Sequence, residues 1–150
     1  MSIEKDINQS KFRTEHQKVL INIIFTSNWL NEQVKQFLDK EDITQQQFNI
    51  LRILRGAGTP LSTLQIRQRM LDKMSDTSRI VDRLVIKGLA KKNVCPADKR
   101  LVDVSITPKG KKLLEKLDQS ADKMDAIASS LNEADAKVMN KLLDKLRKSL

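Results

Sequence analysis

The 150-residue chain lacks most of the side chains from which enzymes build nucleophilic and metal sites. It has one cysteine, Cys95, and one histidine, His16, and the two fall on different predicted elements. Such a pair does not make a convincing nucleophile and base, and a lone cysteine cannot form an internal disulfide. The sequence also has no glycine-rich phosphate loop and no Cys/His metal spacing. We therefore expect no enzymatic activity, no metal and no cofactor.

Apolar and aromatic residues are also few, at 39% and 3% of the chain. A chain of this size buries only about two-thirds of its unfolded surface on its own, so a second subunit that shares the core would help. No apolar run approaches the ~18 residues needed to span a bilayer. Residues 1–15 are polar and charged, without the apolar segment of a secretory signal. These absences predict a cytoplasmic protein without a membrane partner.

Positive charge, by contrast, is in excess. The 28 Lys and Arg residues outnumber the 19 Asp and Glu residues, which gives a formal net charge of +9 at pH 7. This balance favours a polyanionic partner, whether nucleic acid, an acidic membrane surface or an acidic protein.

Residues that break helices are confined to the middle of the chain. All four glycines and all three prolines lie between positions 56 and 110. In both flanks, apolar residues recur at helical spacings, from Phe12 to Leu38 and from Leu113 to Leu150. We therefore predict one long helix before the middle module and two after it. The first of these two starts at Thr107-Pro108 and has its apolar stripe over 113–131, and the next is capped by Asn132.

Local signals in the middle module predict three short helices and a hairpin. Two capping boxes, TQQQ at 44–47 and STLQ at 62–65, start helices over about 45–55 and 63–70. A third helix begins near Ser75 and ends before Gly88. Val102, Val104 and Ile106 then alternate with other residues as in a strand, with residues 89–95 as its antiparallel partner. The predicted fold is mainly α with a small β-hairpin, which is the winged helix-turn-helix arrangement with long helices at both ends.

The third short helix has the pattern of a recognition helix. Its predicted outer face carries short hydroxyls and arginines, which reach phosphates or bond a guanine edge through two donors. Lys99 and Arg100 lie at the predicted hairpin tip, where a wing would meet the minor groove. An ordinary solvated helix face is the alternative. The candidate DNA-binding residues are Ser75, Asp76, Ser78, Arg79, Arg83, Lys99 and Arg100.

Two stretches resemble a known family. Residues 98–110, DKRLVDVSITPKG, resemble the wing signature D-x-R-x-x-x-V-x-[LI]-T-x-x-G of the MarR (multiple antibiotic resistance regulator) family. RIVDRL at 79–84, followed by KGL at 87–89, resembles its recognition-helix signature. The resemblance covers about 43–117, and Arg67 departs from the small residue usual there.

The resemblance implies a homodimeric transcriptional regulator that reads a pseudo-palindromic operator. Residues 1–40 and 111–150 would form a helical dimerisation region, and 41–110 the winged helix-turn-helix DNA-binding module. It further implies a repressor that a small-molecule effector releases from DNA, and structural salt bridges at Asp82 and Asp98.

Several residues, and the chain as a whole, allow more than one interpretation. His16, Phe25, Trp29 and Phe48 are candidates to line an effector pocket, with ordinary packing as the other interpretation. Cys95 is a candidate redox sensor or a small structural residue. For the whole chain, the rival functions are a sequence-neutral architectural DNA binder and a winged-helix module that binds an acidic protein.

Overall fold

A computed structural model describes residues 2–94, 98 and 102–148 of the chain. The chain forms two compact units, residues 1–114 and 115–150. Among the described residues, no helix combines the length and the hydrophobicity needed to span a bilayer.

The first unit contains five helices and a small sheet within its described residues, and a sixth helix begins in it. The helices are α1 (Ile3–Asp6), α2 (Glu15–Asp39), α3 (Gln45–Ala57), α4 (Thr63–Arg69), α5 (Thr77–Ile86) and α6 (Pro108–Asp118). The strands are β1 (Leu61–Ser62), β2 (Ala90–Val94) and β3 (Val102–Ile106).

The helix starts follow the capping residues closely. The Thr44 hydroxyl accepts from the Gln47 backbone N–H at 3.1 Å, and the Gln47 side chain accepts from the Thr44 N–H at 3.2 Å. Ser62 and Gln65 form the same reciprocal pair at the start of α4. Both predicted capping boxes are therefore confirmed. Helix α3 runs two residues beyond the predicted end because Gly58, with φ of 66°, terminates it in the left-handed conformation.

The sheet includes the predicted hairpin and one strand that was not predicted. β2 and β3 pair antiparallel, with Ala90 opposite Ile106 and Val94 opposite Val102. β1 adds to the other edge of β3, with Leu61 opposite Val104. A strand of two residues is too short to show an alternating pattern, which explains why the sequence did not reveal it.

The core of the first unit lies around α3, which contacts α4, α5 and β3. Leu51 of α3, Ile66 of α4, Leu84 of α5 and Val104 of β3 are fully buried. Burying each such side chain contributes about 1.5–3 kcal/mol relative to leaving it exposed. This core holds the second and third helices of the module at a fixed orientation.

The short helix α1, which was not predicted, is attached to α2 by a salt bridge. Ile3 is buried, and Lys18 Nζ of α2 lies 2.5 Å from Glu4 Oε1. The hydrogen bond from Lys18 lowers the pKa of Glu4 from 4.5 to about 2. Thr14 caps α2, so this helix begins at Glu15 and not near Phe12 as the periodicity suggested.

The second unit begins at residue 115, within α6. It continues with α7 (Ala121–Asp125), a 3₁₀ turn (Ala126–Ala128) and α8 (Glu133–Arg147). The helix predicted from Thr107-Pro108 starts where expected, but its predicted continuity to Leu131 is wrong. The Ser120 N–H bonds to the Leu117 carbonyl at 3.0 Å, an i→i+3 contact that ends α6, and serine competes with the helical backbone for hydrogen bonds. Asn132 caps α8 as predicted, accepting from the Asp135 N–H at 2.9 Å.

Candidate nucleic-acid interface

Helix α5 divides into a buried face and an exposed face. Thr77, Val81 and Leu84 are buried against the core, whereas the opposite face is open to solvent. The predicted amphipathic division of this helix is confirmed. The exposed residues on that face are Ser78, Arg79, Asp82 and Arg83.

Two of the predicted DNA-binding residues have structural roles at the start of α5. Asp76 is the N-cap, and its Oδ1 accepts from the Arg79 backbone N–H at 3.2 Å. The Ser75 hydroxyl donates to the Asp72 carbonyl oxygen at 2.8 Å, and Ser75 is half-buried. Contact of Ser75 and Asp76 with DNA remains a prediction, and their local bonds explain why these residue types stand here.

The turn between α4 and α5 is held by polar side chains of α3. Asn49 Oδ1 accepts from the Leu71 N–H at 3.0 Å, and Gln46 Nε2 donates to Asp72 Oδ2 at 3.3 Å. Asp72 Oδ1 in turn accepts from the Met74 N–H at 3.0 Å. The sequence analysis did not predict this network, although an aspartate side chain that bonds the backbone N–H two residues later is a common turn pattern. The network fixes the segment that leads into α5.

An ion pair connects α5 to the wing. Lys92 of β2 pairs with Asp82 of α5, in agreement with the structural role that the family resemblance implied for Asp82. Both side chains are partly exposed, so the pair contributes little to stability and acts mainly on orientation. Lys91 and Lys92 are exposed on the wing strand. Lys99, Arg100 and Cys95 lie outside the described residues.

The wing and α6 join at a close backbone contact. Gly88, with φ of 71°, ends α5, and its carbonyl accepts from the Thr107 hydroxyl at 2.7 Å. Thr107 also caps α6, since its Oγ1 accepts from the Gly110 N–H at 3.1 Å. A Cβ at Gly110 would lie 2.3 Å from the Leu89 carbonyl oxygen, so only glycine fits there. This contact gives a physical reason for the threonine and glycine of the wing signature.

The four candidate effector residues lie at separate positions on α2 and α3. His16, Phe25 and Trp29 are exposed along α2, and Phe48 of α3 is half-buried with the Arg52 guanidinium 5.6 Å from its ring. A groove of about 650 Å³ lies between α2, α3 and the α4–α5 turn, but its described lining includes none of the four. Their role in ligand binding remains a prediction.

Each unit exposes apolar side chains on a long helix. In the first unit they lie on α2 and include Val19, Leu20, Ile24, Phe25, Trp29 and Leu30. In the second unit they lie on α8 and are Val138, Met139, Leu142 and Leu146. Several exposed apolar side chains on one helix indicate an interaction site more strongly than a single exposed residue does.

Comparison with known proteins shows that the chain is similar to transcriptional regulators. No protein-family profile matches it. The HTH-type transcriptional regulator FarR of Neisseria gonorrhoeae is 28% identical over 137 residues, which cover 91% of this chain and 93% of FarR. The multiple antibiotic resistance protein MarR of Salmonella typhimurium is 31% identical over 86 residues, 57% of this chain and 59% of that protein.

The fold also matches a solved structure. A MarR variant from E. coli, complexed with operator DNA, aligns with a TM-score of 0.79 and 24% identity over 91% of this chain and 98% of that one. The predicted winged helix-turn-helix fold is confirmed. The kinship to regulators also confirms the expectation that the chain is not an enzyme.

Proposed function

We propose that the chain is a sequence-specific DNA-binding transcriptional regulator of the MarR family of winged helix-turn-helix proteins and that it acts as a homodimer. The observation that carries this proposal is the exposed polar face of α5. This helix is the second of the helix-turn-helix, and the core behind it leaves Ser78, Arg79 and Arg83 in solvent.

The spacing of the two arginines suits major-groove recognition. Arg79 and Arg83 stand four residues apart on one helix face, which is about 6 Å along the axis. That distance is close to two steps of about 3.4 Å between successive base pairs. Each guanidinium offers paired donors that match the O6 and N7 acceptors of a guanine. Ser75, Asp76 and Ser78 lie at the start of the same helix, where recognition helices contact bases and phosphates.

The wing extends this surface. In the proposal, Lys99 and Arg100 contact the minor groove or its phosphates at the hairpin tip. The Asp82–Lys92 pair supports this, because it fixes the base of the hairpin relative to α5.

Residues 1–40 and 111–150 provide the surfaces that bind a second copy of the chain, and residues 41–110 provide the DNA-binding module. The exposed apolar residues on α2 and α8 support this division, since burying them in a homodimer removes them from water. Two modules in a dimer would read a pseudo-palindrome with half-sites about one helical turn apart. The family resemblance further supports a cytoplasmic repressor whose release from DNA depends on a small-molecule effector.

Duplex binding by variants tests the DNA-binding surface. Arg79→Ala and Arg83→Ala should each weaken binding to the preferred duplex about 5- to 140-fold, the equivalent of ~1–3 kcal/mol per bidentate contact. Lys123→Ala is the matched control, because it removes one exposed positive charge in the other compact unit. Fluorescence anisotropy from 50 to 200 mM salt measures both effects. Equal losses in all three variants would favour the sequence-neutral binder, and no binding by the parent chain would favour an acidic protein partner.

Sedimentation velocity tests the dimer. Ile24 of α2 and Leu142 of α8 are 63% and 59% exposed. Ile24→Asp or Leu142→Asp should shift the chain from dimer to monomer, because the interface would have to bury a charge. Ile86→Asp, the same substitution at an 84% exposed position outside these two regions, should leave the dimer intact. A monomeric parent chain at micromolar concentration would contradict this part of the proposal.

A further inference from the structure

Met74 stands out among the exposed apolar side chains of the first unit. It lies in the turn between α4 and α5, two residues before the N-cap of α5, and is 93% exposed. Single exposed apolar residues are normal on protein surfaces, so exposure alone indicates nothing. The way its backbone is held and its place beside α5 distinguish it.

The backbone of Met74 is fixed by Asp72. Asp72 Oδ1 accepts from the Met74 N–H at 3.0 Å, and Asp72 Oδ2 accepts from Gln46 Nε2 of α3 at 3.3 Å. The neighbouring Ser75 hydroxyl bonds to the Asp72 carbonyl oxygen at 2.8 Å. The turn is therefore attached to the helix at the centre of the core. A fixed backbone lowers the entropy that an exposed side chain loses on binding.

The residues around Met74 carry charges of both signs. Asp72 and Asp76 are the acidic residues of this turn, and each carboxylate already accepts hydrogen bonds within the chain. Lys73 directly precedes Met74 and Arg79 lies five residues after it, and both side chains are positively charged. In the major groove, an exposed apolar side chain at the start of a recognition helix meets one apolar feature, the C5-methyl group of thymine.

We propose that Met74 is a specificity-determining residue that contacts the C5-methyl group of one thymine in each half-site. This inference rests on the proposed function, because it assumes that the N-terminal end of α5 enters the major groove. Met74 adds a preference for thymine to the guanine recognition by Arg79 and Arg83.

Two other exposed apolar residues serve as controls. Leu71 lies in the same turn and is 81% exposed, but it lines the groove formed with α2 and α3. Ile86 is 84% exposed at the opposite end of α5. Substituting either one with alanine removes a similar apolar surface without touching the proposed contact.

The test removes the methyl group from the DNA and the side chain from the protein in a double-mutant cycle. Each thymine of the preferred half-site, obtained by selection from a random duplex library, is replaced in turn by deoxyuridine. At one position the parent chain should lose about 4-fold in affinity, the equivalent of burying one ~0.8 kcal/mol methyl group. Met74→Ala should bind more weakly and be insensitive to that replacement. Met74→Leu should retain the sensitivity, as should Leu71→Ala and Ile86→Ala.

The results separate this inference from the proposed function. A methyl effect that is unchanged in Met74→Ala, or no thymine position with a methyl effect, would overturn the role of Met74 while leaving the regulator intact. Selection that yields no preferred sequence would overturn both. A methyl effect that is lost in Leu71→Ala to the same extent would also contradict the assignment.

Discussion

Gly110→Ala should destabilise the protein, because the backbone of the wing lies against the first turn of α6. An alanine Cβ at this position would lie 2.3 Å from the Leu89 carbonyl oxygen and 2.8 Å from Ile106 Cγ1. The first atom belongs to the backbone and cannot rotate away. It also accepts a hydrogen bond from the Thr107 N–H at 3.1 Å, so moving it weakens the junction between the wing and α6.

The magnitude follows from three opposing effects. Overpacking of a tight site costs typically about 1–3 kcal/mol or more. Weakening the Thr107–Leu89 hydrogen bond adds about 0.5–1.5 kcal/mol. The higher helix propensity of alanine returns up to ~1 kcal/mol. We therefore expect Gly110→Ala to lower the free energy of unfolding by about 1–3 kcal/mol.

Urea unfolding followed by circular dichroism, at one fixed protein concentration, measures this change. Gly56→Ala is the matched control, because an alanine Cβ at this position of α3 would meet no atom outside its own helix backbone within 4 Å, and Gly56 has no positive φ. It should raise stability by about 0.5–1 kcal/mol. If both variants shift the urea midpoint upward, the close contact at Leu89 is not real and the reasoning is refuted.

Three further substitutions test the packing and the charge interactions of the first unit. Leu84→Ala, at a fully buried position of α5, should lower the free energy of unfolding by about 2–5 kcal/mol. Ile86→Ala, at an exposed position of the same helix, should change it by less than about 0.5 kcal/mol. Equal losses of stability in thermal unfolding would contradict the observed buried and exposed faces of α5. The folded-state pKa of Glu4 is depressed to about 2, so its stabilisation is present above pH 4.5 and is lost as the pH falls toward 2. The difference in Tm between the parent and Glu4→Gln should therefore shrink over that interval, and a pH-independent difference would exclude the Lys18 contact as its cause.

The sequence predicted the elements whose determinants are local. The capping boxes at Thr44 and Ser62 and the terminating Gly88 depend on a few neighbouring residues, so their positions could be read directly. The division of α5 into two faces follows from helical periodicity for the same reason. The hairpin was visible from alternation alone.

The elements that were missed depend on distant contacts or on weak propensities. β1 forms because Leu61 pairs with Val104, which lies 43 positions later in the sequence. Its two residues are too few to show the alternation of buried and exposed side chains that predicts a strand. The break after α6 depends on an i→i+3 bond at Ser120, which the apolar spacing across 113–131 concealed. Periodicity reports which residues can share a face, but it does not show that the helix is continuous.

The sequence predicted which residues form the candidate site, but it did not predict the hydrogen bonds that hold the adjoining turn in place. Ser78, Arg79 and Arg83 were identified from the face that they share, and the described structure leaves them exposed. The attachment of the α4–α5 turn to α3 through Asp72 and Gln46 joins residues 26 positions apart, so no local pattern indicates it. Only the packing of α3 against this turn brings the two side chains together.

The central claim is that a homodimer reads specific DNA through two copies of α5, and in-vitro selection tests it most directly. The parent chain is used to enrich duplexes from a random library at ~150 mM salt, near physiological ionic strength. The expected result is enrichment of an inverted repeat with half-site centres about 10–10.5 base pairs apart. Duplexes recovered without a shared sequence, or no recovered duplex at all, would contradict it.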